Sequence, residues 1–173
     1  MNIKTFIACA MVLSATVPAS PCSVVGDRPS AASLLRGAEV IVRARAEGVS
    51  ESPGQQGTMA GSSTQVRFAV LDILKGRLPA RTIEFNGAIF DRDDPNDRPV
   101  PYDFVRPGGR GGNCFALSYK AGGEYLLLLR RDKYSAQPKE LTPYWDALGP
   151  TNEQLFGGTS DPWFAWVTRQ LHR

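Results

Sequence analysis

The stretch "TQVRFAVLDILKG", residues 64–76, decides how this chain folds. Val66, Phe68 and Val70 alternate with Gln65, Arg67 and Ala69, the period-two pattern of a strand with one buried face. The phase then breaks, because Leu71, Ile73 and Leu74 are apolar while Asp72 is not. An extra residue in one strand of a pair produces such a slip, and the resulting bulge bends the sheet. Bent strands are what small barrels use to close.

Other strands flank this one. In "AEVIVRARAEG" the spacing predicts a strand over residues 39–47, with Val40, Val42, Ala44 and Ala46 on one face. Ile41, Arg43, Arg45 and Glu47 take the other, mostly polar, face. Residues 50–63 are small or polar and predict a mobile hairpin loop. "RTIEFNG" predicts a third strand with Ile83 and Phe85 inward, and "GEYLLLLRR" a fourth that is apolar on both faces and therefore central. "PKELTPYW" can hold a short fifth strand. Ser30 caps a short helical turn that stops at Gly37. Near the C-terminus Ser160 or Asp161 can cap a helix with Pro162 in its first turn. Trp163, Trp166, Val167 and Leu171 share one face of that helix, a packing stripe. The expected fold is mainly β: a five-stranded OB-fold-like Greek-key barrel with a short N-terminal helix and a C-terminal helix.

The first residues read as a signal peptide over residues 1–19. Lys4 supplies the positive start, Phe6 to Leu13 an apolar run too short to span a bilayer, and Val17-Pro18-Ala19 the small-residue cleavage site. A lipid anchor on Cys22 is the alternative, but Pro21 stands where a lipobox places a small residue. The expectation is one exported domain, residues 20–173, secreted or periplasmic, with no transmembrane segment. The net charge of +3 falls to +2 when Lys4 leaves, too little to point to nucleic acid or an anionic membrane. Cleavage also removes Cys9 and leaves Cys22 and Cys114, an even pair that in an oxidising compartment reads as one disulfide, with two free thiols as the alternative.

Catalytic chemistry finds little support. The single histidine, His172, lies next to the C-terminus, so a nucleophile has no base and two cysteines no further soft ligands. Neither a catalytic residue, a metal ligand nor a cofactor is assigned. "DRDDPND", residues 91–97, gathers four carboxylates without calcium-loop spacing and reads as a solvated acidic loop. "RPGGRGGN", residues 106–113, could cradle an anion on its amides but reads first as a flexible link to Cys114. Trp145, Trp163 and Trp166 could make an aromatic platform, the last two more simply core. The irregular segment 88–113, with four prolines, is long enough to be functional in its own right.

An early Cys, "GAEVIVRARAEG", "VRFAVLDILKG", "TIEF", a loop ending in Cys, "GGEYLLLL" and "YWDAL" follow in an order that resembles the netrin-like domains, most closely the N-terminal domain of the tissue inhibitors of metalloproteinases. The resemblance covers roughly residues 22–148. In those inhibitors the amine and carbonyl of an N-terminal Cys chelate the target's zinc, and its disulfide partner lies in the loop that completes the inhibitory ridge. Carried over, Cys22 is the chelating residue and Cys114 its partner. The ridge then comprises Cys22, Ser23, Val24 and Val25 with Arg110, Gly111, Gly112, Asn113 and Phe115. Expected cleavage leaves Ser20 and Pro21 ahead of Cys22, and a peptide nitrogen has no basic lone pair for a metal. The Cys-x-Cys start of the family is Cys22-Ser23-Val24 here. The expected function is accordingly a non-catalytic, monomeric protein-binding module. A zinc-metalloproteinase inhibitor acting through Cys22, and a structural envelope protein with no dedicated ligand, are the alternatives.

Overall fold

The computed structural model describes residues 27–51, 64–111, 114–131, 141–143 and 148–173. What the sequence says of residues 1–26, of most of the 50–63 loop, of Gly112, Asn113 and Trp145 lies outside them. The chain is mainly β. Helix α1 spans Ala31–Gly37. Strands β1 (Val40–Glu51), β2 (Thr64–Lys75) and β3 (Thr82–Asn86) follow. Then come β4 (Ala88–Phe90), β5 (Ser118–Lys120), β6 (Glu124–Arg131), β7 (Leu141–Pro143) and β8 (Asn152–Leu155), and helix α2 (Pro162–Leu171) ends the order.

The main sheet runs β3-β2-β1-β6-β7, with β8 also on β6. All its ladders are antiparallel. The free edge of β6 is shared lengthwise, Leu129 to Arg131 facing β7 and Glu124 to Leu127 facing β8. A separate parallel pair joins β4 to β5. Among the described residues no ladder joins β3 to β7 or β8, so the sheet is open.

Both faces of this sheet are buried. Val40, Val42, Ala44 and Ala46 pack with Val66, Phe68, Val70, Ile83 and Phe85, and with Tyr125, Leu127 and Leu129 from β6. The intervening Leu126 and Leu128 point the other way, joining Ile41 under α1 and α2. That is why β6 is apolar on both faces from Tyr125 to Leu129. On β2 the expected slip takes a definite form. Val42 opposes Ile73 while Ile41 opposes Lys75, and Ala44 opposes Val70 while Arg43 opposes Asp72. Leu74 and Leu71 are thus left over, and β1 has its own surplus at Glu47. The slips turn Asp72 toward Arg43 (2.6 Å) and deliver Lys75 to the α1 terminus, where its Nζ donates to Leu35 O (2.7 Å) and Arg36 O (3.1 Å).

Both helices start where their caps dictate. Ser30 accepts from Ser33 N–H at 3.2 Å, and Asp161, not Ser160, caps α2, accepting from Trp163 N–H at 2.8 Å. Trp163 and Val167 are fully buried on the helix-side core, with Trp166 and Leu171 partly so. Of the five expected strands the fifth appears as the short β7, while β4, β5 and β8 are additional to the five. The miss at β8 has a physical cause. Its sequence, "NEQL", is polar, yet all four residues are buried.

Candidate functional site: a fastened loop beside Cys114

Residues 91–110 run from β4 toward Cys114 and lie over β8, and their polar side chains explain its burial. Arg106 is completely buried. Its Nε donates to Asn152 O at 3.1 Å, its Nη2 to Ala116 O at 3.3 Å, and its Nη1 pairs with Asp94. The guanidinium also lies 5.3 Å and 5.4 Å from the ring centres of Tyr119 and Tyr125, against the open flank of the strand core. Asn152 Nδ2 donates to Ala116 O and to the Tyr119 hydroxyl, whose pKa burial pushes up to about 12. On the other face of β8 the loop contributes Tyr102, stacked 4.8 Å from Trp163, which stacks in turn 5.1 Å from Trp166. Burial, with the charges of Asp161 and Glu153, raises the Tyr102 pKa to about 12 as well.

The acidic run is mostly exposed, as a solvated loop is, but it is also ion-paired, and residues 106–110 of the glycine-rich run are fastened to it. Three of the four aspartates are committed. Asp93 takes Lys120 Nζ and Gln154 Nε2, each at 2.7 Å. Asp94 takes Arg106 and the Gly108 N–H, and its own N–H donates to Gln154 Oε1 at 2.8 Å. Asp97 holds Arg110 through two bonds, at 2.6 Å and 2.9 Å. Lys120 and Arg110 keep the carboxyls of Asp93 and Asp97 below the usual range. The Arg106 and Arg110 side chains are thus both committed to carboxylates. At Gly109, inside the Pro107–Gly109 turn, a Cβ would sit 2.6 Å from Val105 and 2.9 Å from the Ala116 nitrogen, so only glycine fits.

Of the expected ridge, Cys22 to Val25 and Gly112 and Asn113 lie outside the described residues. Gly111 is exposed and Phe115 half-buried. Arg110 does not face outward: besides Asp97 it bonds Val105 O at 2.9 Å and covers the Phe104 ring. Cys114 packs on a small cluster of Val105, Ala116 and Leu148. Its φ of 60° is left-handed, as is the 64° of Leu148, a conformation that costs about 1–2 kcal/mol without glycine and persists only where neighbours enforce it. The neighbours are explicit: Leu148 N–H donates to Cys114 O at 2.7 Å, and Val105 N–H to Leu148 O at 2.7 Å.

A cleft of about 510 Å³ opens beside this loop, lined by Phe90, Asp94, Pro95, Pro107, Ser118 and Tyr119 among others. Its carboxylates already have cationic partners, which leaves Phe90, 42% exposed, as its most available apolar surface. Trp163 is core, not a platform. Among the described residues no three His, Cys, Asp or Glu side chains are grouped to hold a metal, and no helix is long and apolar enough to cross a membrane. Comparison with family models, curated proteins and solved structures returns no match.

The sequence gives no sign of the Arg106–Asp94–Asn152–Tyr119 arrangement, since its members come from three separate segments, the 91–110 loop, β5 and β8. The one available signal is a polar strand, "NEQL", so close to the apolar β6 it pairs with.

Proposed function

We propose that this chain is an exported, non-catalytic binding module on a partly open OB-type Greek-key barrel, akin to the netrin-like domains, that docks a protein partner through the edge around Cys114. The strand order supports the barrel reading. β1, β2 and β3 are consecutive, and β6 returns over a long connection to lie beside β1, which is the Greek-key order. The slips on β2 supply the bending a barrel needs.

The observation that carries the functional reading is the enforced left-handed Cys114 on a fastened loop. An edge already held in one shape docks without a large ordering cost. A Cys22–Cys114 disulfide would tie the N-terminal segment to that edge and complete it. Within the edge Arg110 is a positioning residue, and contact falls to Cys22–Val25, Gly111–Asn113 and Phe115. Zinc-protease inhibition through Cys22 is the second reading and requires Cys22 to carry the free α-amine.

The test uses the exported protein with a photo-cross-linking side chain at position 115 or, for comparison, at the exposed Val49. One discrete protein adduct from 115 and none from 49 is expected. Equal adducts from both positions, or none, would overturn the docking reading. Inhibition in a zinc-protease panel would replace it with the second.

A further inference from the structure

Glu153 lies on β8 opposite Leu126 and is wholly buried. Its carboxyl accepts two bonds, both from uncharged donors: Asn96 Nδ2 at 2.8 Å on one oxygen and the backbone N–H of Arg106 at 3.2 Å on the other. The Arg106 guanidinium is near but spent, on Asp94 and two carbonyls. Asp94 is the second carboxylate of this cluster, so two acids share one buried cation. The other groups that face Glu153 do not correct the imbalance. Tyr102 from the loop is neutral, and Arg110 is held by Asp97. Asn152 and Gln154, its neighbours on β8, are uncharged and point to the opposite face. A buried carboxyl without an ion-pair partner favours its neutral form.

We infer that Glu153 is a proton-operated latch: protonated, it fastens residues 91–110 to β8, and ionised, it loosens them. Both of its contacts are with that loop, so the cost of its buried charge falls on the loop–sheet contact. Opening the loop gives the carboxylate water, and closing it removes that water. Burial raises the Glu153 pKa from 4.5 to about 7, with Arg106 and the two hydrogen bonds opposing the rise. The sign follows: an acid that binds its proton more tightly when closed stabilises the closed state at low pH. That stabilisation is lost as pH rises through the closed-state value. The latch acts on the same loop that the docking reading takes as fastened, but its test reads the loop's closure and not partner capture, so the two can fail separately.

The test is hydrogen exchange of the loop amides in the full exported chain from pH 5.5 to 8, corrected for intrinsic rates, on a His172→Gln background that removes the one histidine. Between those pH values the closed-to-open ratio of residues 91–110 should fall about 30-fold. Glu153→Gln, which mimics the protonated carboxyl, should abolish that fall. A flat profile in the parent, or an unchanged slope in Glu153→Gln, overturns the latch. Should Glu153→Gln not fold, a carboxyl-carbon NMR titration of the parent decides. A Glu153 midpoint near 7 supports the latch, and one near 4.5 overturns it.

Discussion

Arg106 holds more of this structure together than any other polar residue described. Its guanidinium reaches Asn152, Ala116 and Asp94, and two tyrosine rings, themselves packed edge to face, lie against its charge on the core side. Removing one partner of a buried charged set leaves the others unpaired, at about 3–5 kcal/mol. Arg106→Ala should therefore lower unfolding free energy by that amount in a urea titration, and a loss under 1 kcal/mol would contradict the burial. Arg110→Ala should cost far less, because its pair with Asp97 is partly solvated. The sequence conveys the reverse emphasis. An arginine among glycines reads as exposed, and nothing local reveals that Asp94, Ala116, Tyr119 and Asn152 will converge on it. Periodicity reports which face of an element is apolar; it is silent about a charged residue from a loop that seals a core.

Elements with local signals were legible, and those made by distant partners were not. Helix α2 was readable because cap, proline and stripe sit within its own sequence. Trp163 is wholly buried between Tyr102 and Trp166, while Trp166 is only partly covered. Trp163→Ala should cost about 3–5 kcal/mol and Trp166→Ala clearly less, as thermal unfolding would show; equal losses would contradict the packing described. The Asp161 cap accepts from both Trp163 and Phe156 N–H groups, so Asp161→Ala should cost at least about 1 kcal/mol. The slip in β2 was likewise visible, since a change of phase lies in the strand itself. The strands β4, β5 and β8 are short, and "NEQL" belongs in a sheet only because Arg106, Asn96 and Asp94 satisfy its side chains and its carbonyl. The latch belongs to this scale as well, being a contact between one loop and one strand.

For the molecule as a whole, the proposed function turns on one edge, the fastened loop beside Cys114, to which the proposed Cys22–Cys114 disulfide would tie the N-terminal segment. The long connection from β4 to β5, which composition alone marks as irregular, is fastened on both faces of β8: Arg106 on the strand-core side, Tyr102 on the helix side. That arrangement holds the edge in one shape. Cys114→Ser should remove the cross-link and lower stability by about 2–4 kcal/mol, measured by unfolding of the oxidised protein, while the reduced parent should already behave like the variant. The measurement that bears most directly on the central claim is the intact mass and N-terminal sequence of the exported, unreduced protein. The account predicts a chain starting at Ser20 and lighter by two hydrogens, the mark of a Cys22–Cys114 bond. A full-mass chain with two titratable thiols would contradict it, and a start at Cys22 would turn the same edge into that of a zinc-protease inhibitor.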